Sequence, residues 1–320
     1  MELVPTLAIL WCVYWICDLL LNGRWWVWEF TSMVPFLAWW LLWLILLIVS
    51  YYSPVSILLI LATTPLLYRL TDLSWRRSSA RPLQEQPTIK LFNWNTLYWT
   101  VDHKPGFYQF LQSQNADVYH LQEALNHDEE IIDVRSELQE YFPDYQIVQS
   151  GELVSMTRLP VVGSFADDSL PYLRLDLDVA GKVVSFYNVH IIVHIAPENL
   201  KKSVSLFLRN IKERFARRKV EYQMLWNALE NNQLPKVISG DFNTAKSQVA
   251  IRRFLRKYQD SFSALHVGMP RTYAFAKRIK LWRIDYVLVS SDLNLLKNDY
   301  IDPQLLSDHV GSSVSFQVQK

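Results

Sequence analysis

The composition of this 320-residue chain breaks near Leu70, and that break constrains the fold more than any other feature. Up to Trp75 the chain holds nine of its thirteen tryptophans and almost no charge, a composition suited to lipid rather than water. Beyond it the sequence is mixed and polar, so the hydrophobic fraction of 50% averages two unlike parts, an N-terminal anchor and one domain. Three apolar runs make up the anchor. Leu3 to Leu21 and Ser32 to Tyr52 are each close to the roughly 20 residues that cross hydrocarbon, and Pro54 precedes a shorter run, Val55 to Leu70. Two to three transmembrane helices are therefore expected within residues 1–72. Asn22 to Phe30, with Trp25, Trp26 and Trp28 beside Arg24 and Glu29, reads as an interfacial loop. A cleaved signal peptide fits poorly, because no basic residue precedes the first run and a second follows at once.

With three spans, the N-terminus and the Tyr51 to Pro54 turn share one side and carry no Lys or Arg. Arg24, Arg69, Arg76, Arg77 and Arg81 fall on the other. The positive-inside rule then favours a multi-pass integral membrane protein with its C-terminal domain in the cytoplasm. With two spans Arg24 changes side, but the other four arginines argue the same way. Cys12 and Cys17 both lie in the first run, so cysteine usage says nothing about compartment. Residues 73–87, including Ser-Ser-Ala-Arg-Pro-Leu-Gln-Glu-Gln from Ser78 to Gln86, lack apolar periodicity and read as a linker. After Arg81 acids and bases balance, which gives no general argument for nucleic acid. No ionisable residue lies in mid-span except Asp18, near the end of the first run, so the anchor is expected to select a substrate and take no part in chemistry, leaving a domain at 88–320 that folds by itself.

Within that domain, Thr88 to Trp94, Ala116 to Leu121, Lys182 to Val189, Lys236 to Ser239, Ile284 to Ser290 and Ser312 to Gln319 read as strands. Pro105 to Ser113, Asp128 to Tyr141, Pro197 to Glu230 and Gln248 to Tyr258 carry helical spacing, giving an α/β layered fold. Polar clusters sit at the strand ends. Asn95, Glu123, His190 and Asp241 follow strands while Asp285 and His309 precede them, so antiparallel placement of the last two strands would gather all six at one rim. Such a gathering is costly unless the groups serve one another, and it points to a hydrolase.

The ordered set Trp94-Asn95, Leu121-Gln122-Glu123, His190, Ser239-Gly240-Asp241-Phe242-Asn243, Arg283-Ile284-Asp285-Tyr286 and Ser307-Asp308-His309 resembles the endonuclease/exonuclease/phosphatase superfamily over about residues 88 to 318. The resemblance implies a four-layer β-sandwich flanked by helices, of the deoxyribonuclease I type, with a Mg²⁺-dependent phosphoester hydrolase site at one rim; Mn²⁺ is the alternative cation. A hard cation takes oxygen ligands and few protein carboxylates, which makes Glu123 the first metal ligand. Asn95 can orient the metal or a phosphate without adding charge. By resemblance, His309 acts as base or phosphate-polarising group with Asp285 as its partner, and Asp308 lies near the metal. Asp241 orients or activates the nucleophile or handles the leaving-group proton, Asn243 binds phosphate, and His190 serves transition-state charge or the leaving group. His194, four residues on, reads as a loop residue. Met156-Thr157-Arg158-Leu159-Pro160 resembles a family Ser-Arg-aromatic-Pro element with Thr157 in place of Ser. His103, His120, His127 and His266 match nothing and read as structural or solvated.

Lys201, Lys202, Arg209, Lys212, Arg214, Arg217, Arg218 and Lys219 share a stretch with Val204, Phe207, Leu208, Ile211 and Phe215, which suits either a solvated face or a surface against anionic lipid. Arg252, Arg253, Arg256 and Lys257, then Arg271, Lys277, Arg278 and Lys280, add positive charge. A tether concentrates an enzyme on a membrane substrate, so a phosphatase or phosphodiesterase on a lipid-linked or other membrane-proximal phosphate is expected, with membrane lipids as partners. A DNA or RNA nuclease is the second reading and a catalytically inactive binding module the third. The sequence identifies no protein partner.

Overall fold

Alternation along the strands decides the layers, since successive side chains of a strand face opposite ways. The computed structural model describes residues 3–75, 81–99, 104–195, 203–275 and 279–319; Arg76, Arg77, His103, Lys201, Lys202, Lys277 and Arg278 lie outside the described residues. Strands β1 (Ile89–Asn95), β2 (Val118–Gln122), β3 (Gln146–Ser150), β4 (Leu153–Thr157), β5 (Val161–Phe165), β6 (Tyr172–Val179) and β7 (Lys182–His190) come first. They are followed by β8 (Lys236–Asp241), β9 (Gln259–Asp260), β10 (Tyr273–Phe275), β11 (Ile279–Trp282), β12 (Asp285–Val289), β13 (Leu293–Ile301) and β14 (Gly311–Val318). One six-stranded sheet runs β13-β14-β1-β2-β4-β3 and a second β5-β6-β7-β8-β12-β9, with β10 and β11 as a separate hairpin.

The sheets face each other through Leu91, Val118, Val314 and Phe316 on one side and Leu175, Val184, Phe186, Val237 and Val287 on the other. The alternate residues point outward. Phe92, Trp94 and Tyr119 pack under Phe107, Tyr108 and Leu111 of the helix Lys104–Gln114. Tyr187, Ile238 and Leu288 pack under Tyr222, Leu225 and Leu229 of Val204–Asn231, and under Ile251 and Phe254 of Val249–Lys257. The result is the four-layer sandwich expected from the sequence. β1 runs parallel to β2 and β7 parallel to β8, while β14 and β12 are antiparallel to β1 and β8, which brings the six polar strand ends to one rim.

Toward that rim the inward positions change in steps. Val118 gives way to His120, Leu91 to Asn93, Phe186 to Asn188 and Val237 to Ser239, all buried. Two bonds cross the gap, His120 Nδ1 with Ser239 Oγ at 2.7 Å and Gln122 Nε2 to Asn188 Oδ1 at 2.6 Å, and within its own sheet Gln122 Nε2 also donates to Asn93 Oδ1 at 3.0 Å. Burial pushes His120 down to about 3, so it stays uncharged.

The expected helix from Asp128 is confined to Arg135–Tyr141. Asn126 Oδ1 accepts the backbone N–H of Asp128 and Glu130, each at 2.9 Å, and Asp133 Oδ1 that of Arg135 at 3.1 Å, which favours turns over helix.

The N-terminal helices Leu3–Leu21, Phe36–Val49, Pro54–Ala62 and Thr64–Leu70 pack around Ala8, Trp11, Trp15, Leu46, Ile60 and Leu67. Among the described residues Leu3–Leu21 alone is long and apolar enough to cross a membrane as a single straight helix. The run expected from Ser32 to Tyr52 is broken: Trp26–Ser32 and Phe36–Val49 meet at 75°, because Pro35 takes φ −54° and ψ 134° and carries no N–H. The run after Pro54 divides at Thr63, ahead of Pro65. The linker region is fastened to the domain. Ser74 exchanges two 2.9 Å backbone bonds with Gly268, Leu83 N donates to Gln317 Oε1 at 2.7 Å, and Asn294 Nδ2 donates to Arg81 O at 3.0 Å.

The neutral tier predicts an acid limb. Below the usual histidine value of 6.5 the unfolded chain takes up a proton that folded His120 refuses until about 3, so this contribution to stability is lost as pH falls through that window. Denaturant unfolding of the His120→Asn protein should show a shallower loss between pH 6.5 and 4, by at most about 1.4 kcal/mol per pH unit.

Candidate active site

The rim positions are fixed by the strands that end there. Asn95 and Gln122 are register partners in β1 and β2, as are His190 and Asp241 in β7 and β8, and Asp285 faces Asp241 across β12. Gly240 is required by this packing, since a Cβ would lie 1.8 Å from Val189 O. Two site residues adopt left-handed backbone, Glu123 at φ 65° and Asn243 at φ 47°. Asn tolerates that conformation, whereas for Glu123 it costs about 1–2 kcal/mol. Glu123 is held there by its carbonyl, which accepts Leu125 N at 2.7 Å and Thr96 Oγ1 at 3.2 Å.

Asn95 Nδ2 donates to both Glu123 Oε1 (2.9 Å) and Asp241 Oδ2 (3.0 Å), while its Oδ1 accepts Leu97 N at 2.9 Å. The amide nitrogen therefore clamps two carboxylates. His190 Nε2 stands 3.8 Å from each of the same two acids, and its Nδ1 bonds Glu152 Oε1 at 2.9 Å. Asn243 Nδ2 reaches His190 Nε2 at 3.3 Å and Ile191 O at 2.9 Å, and Asn243 N donates to Asp241 Oδ1 at 2.7 Å. His309 is gripped by Asp285 through Nδ1, at 3.1 and 3.0 Å, which turns Nε2 toward Asp241 (3.7 Å) and Asp308 (3.9 Å). Its backbone is fixed as well: Ser307 Oγ accepts His309 N at 2.9 Å and donates to Asn95 O at 2.8 Å, and Trp94 Nε1 donates to His309 O at 3.2 Å.

Five carboxylates thus surround two imidazoles. Burial raises Glu123 to about 7 despite His190 and its bond to Asn95. Burial also raises Asp241, opposed by His309 and reinforced by Asp285. For the histidines burial works against charge, yet Glu152, Asp241 and Glu123 carry His190 up to about 10, and Asp285, Asp241 and Asp308 carry His309 up to about 10. Such an excess of negative charge suits a cation. The ligand atoms of Glu123, His190 and Asp241 lie within 4.8 Å of one another, as do those of Asp241, Asp285 and His309, and the oxygens of Glu123 and Asp241 suit a hard divalent ion. Asp308 belongs to neither group and approaches His309 instead.

Two neighbours were not singled out from the sequence. Glu152 comes from the turn between β3 and β4, and the Tyr273 ring lies 5.1 Å from the His309 ring. Neither adjoins an apolar run that ends in a polar cluster, the pattern that marks the other residues. His194 is buried apart from the rim, against Gln248 and Glu29. Thr157 pairs with Val118, at the opposite end of β2 from Gln122, so the Met156 to Pro160 element lies away from the site.

A sandwich of two sheets that gathers carboxylates and imidazoles at its strand ends is the scaffold of a metal-dependent phosphoester hydrolase. Residues 93–309 match the Endonuclease/Exonuclease/phosphatase family, and the chain belongs to it and shares its divalent-metal hydrolase class. Comparison with curated protein sequences gives no match. Among solved structures, an endonuclease/exonuclease/phosphatase from Bacteroides vulgatus is 18% identical with a TM-score of 0.51, over 73% of this chain and 100% of its own. Truncated Caenorhabditis elegans TDP2 is 14% identical with a TM-score of 0.52, over 72% of this chain and 98% of its own. These likenesses bear on the fold.

Two outcomes follow from the geometry. Glu123→Gln should lower metal-dependent turnover by about 10² or more while leaving the thermal transition within a few degrees of the parent, and EDTA should abolish turnover reversibly. His309→Ala should be near-inactive and Asp285→Asn strongly impaired, with the double variant no worse than the worse single one in kcat. Additive losses would show that the two side chains act separately.

Proposed function

We propose that this chain is a membrane-anchored, Mg²⁺-dependent phosphatase or phosphodiesterase acting on a lipid-linked or other membrane-proximal phosphate. The observation that carries the reading is that the aromatic pair beside His309 is fastened to the turn that joins the N-terminal helices. Trp282 Nε1 donates to Met33 O at 2.8 Å, the Trp282 and Tyr273 rings are 6.0 Å apart, and Tyr273 lies against His309. The same helices turn Leu10, Leu41, Ile48 and Leu58 outward, each more than half exposed, as lipid-facing side chains would be. Arg69, at the end of these helices, and Arg256 each add to the lowering of Arg252, whose main cause is burial. With the positive-inside count, this favours a cytoplasmic leaflet rich in anionic lipid.

In this reading Glu123 holds the cation, with Asn95 fixing the carboxylate and Asp308 nearby. When bound, the cation polarises the phosphoryl oxygen and offsets the crowded carboxylates. Asp241 orients the attacking water and accepts its proton, and Asn243 holds a phosphate oxygen. His309, kept charged by Asp285, presents Nε2–H to the growing negative charge, which supports its polarising rather than its basic role. His190, charged through Glu152, serves the leaving oxygen.

The full-length protein in vesicles should release phosphate or headgroup from a phospholipid, polyprenyl phosphate or sphingomyelin only with Mg²⁺, faster as the surface fraction of substrate rises, and should leave plasmid DNA intact. Plasmid cleavage with steep salt dependence and no lipid hydrolysis would establish the nuclease reading instead.

A further inference from the structure

The N-terminal unit buries two carboxylates inside the catalytic body, away from the rim. Asp72 lies 3.3 Å from Arg283, a guanidinium that Asp260 already neutralises with two hydrogen bonds. Glu29 is placed differently. It is 7% exposed, accepts Gln248 Nε2 at 2.9 Å, and lies 3.5 Å from His194 Nδ1; Gln248 Nε2 also meets His194 Nε2 at 2.7 Å.

Behind this cluster lies Arg218, 4% exposed, whose guanidinium bonds Ile192 O, Asn243 O (3.1 Å) and Thr244 Oγ1. One side chain therefore ties the segment after β7 to the segment after β8, and these segments carry His190 and Asn243. The tie continues to the rim through the bond from Asn243 Nδ2 to Ile191 O, the residue after His190. A second tie joins the same two segments, from Gln248 Nε2 to His194 Nε2, and Glu29, from the N-terminal unit, holds Gln248 in place for it. Its loop is pinned on both sides: Asn22 Nδ2 donates to Ser247 O at 2.9 Å, and Ser247 Oγ donates to Ser32 O at 2.6 Å.

We propose that Glu29 is a positioning residue for hydrolysis: carried in by the interfacial loop, it fixes Gln248 against His194, so that the segments that follow His190 and Asp241 keep their spacing only while the loop at 22–33 is seated. The proposal rests on reading the rim as the hydrolytic site. It makes the N-terminal unit part of the catalytic framework, and it separates Glu29 from Asp72, because Arg283 keeps Asp260 when Asp72 is removed.

The test uses full-length protein in detergent with saturating Mg²⁺ and the soluble diester bis(4-nitrophenyl) phosphate. Glu29→Gln, which keeps the shape and removes the charge, should lower kcat by roughly fivefold, and Glu29→Ala by more than about tenfold, with KM moving less than about threefold in both. Asp72→Asn should stay within about twofold of the parent. Hydrogen exchange, read without substrate, should rise in Glu29→Gln within residues 190–195 and 241–248 and stay at parental levels in β2 and β14. Faster exchange together with the kcat loss supports the proposal. A folded Glu29→Gln protein with parental exchange in both segments overturns it, as does a parental kcat in that variant. If the parent does not cleave the diester, the hydrolytic reading fails at this substrate while exchange still decides the positioning of the two segments by Glu29.

Discussion

The neutral hydrogen-bonded tier between the sheets is the constraint on which the rest depends. A site with five carboxylates at the mouth of a hydrophobic gap would draw water into the core unless something separated the two. His120, Ser239, Gln122, Asn93 and Asn188 make that separation, each buried; His120–Ser239 and Gln122–Asn188 bond across the gap and Asn93 holds Gln122 within its own sheet. Asn188 Nδ2 also donates to Leu121 O at 3.0 Å and Val154 O at 2.9 Å, so the tier reaches the backbone of the facing sheet. The sheets are locked in register one residue pair below the charged groups, which fixes the strand ends from which the rim residues project.

Above the tier the site is organised by opposition of charge. Each histidine has one nitrogen committed to a carboxylate outside the Glu123–Asp241 pair, Glu152 for His190 and Asp285 for His309, and the other nitrogen turned inward. The inward nitrogens stand 3.7 to 3.8 Å from Asp241, too far for a strong bond and near enough to stabilise charge arriving between them. The two imidazoles are thus held as donors aimed at one small volume, with no group there that must reorganise.

Much of this was legible in the sequence, and the reason is periodicity. A strand that is apolar on its first inward positions and polar on its last two inward positions announces both its face and its end, as Ile89 to Asn95 and Lys236 to Asp241 do. Residues outside such runs gave no signal: Glu152 on a hairpin turn and Tyr273 on a short separate hairpin are brought in by tertiary packing alone. The helix expected from Asp128 failed because Asn126 and Asp133 bond nearby N–H groups, a competition that helical spacing does not register. Pro35 and Pro65 divided apolar runs that composition reads as continuous. Glu29 was visible as a loop acid, but its burial beside Gln248 depends on how two parts of the chain dock, which no local pattern encodes.

The fastened linker has a consequence for how this protein meets its substrate. A flexible leash lets a domain sweep a hemisphere and sets local concentration by polymer statistics. With Ser74 clipped to Gly268 and Leu83 to Gln317, the chain is fastened to the domain on both sides of residues 76–80, and the domain is mounted rather than leashed. On the membrane-anchored reading proposed above, a mounted enzyme does not search; it waits, and its encounter rate is set by two-dimensional diffusion of molecules past a fixed opening. Its selectivity then includes a geometric term, because only a phosphate presented at the height of that opening is within reach.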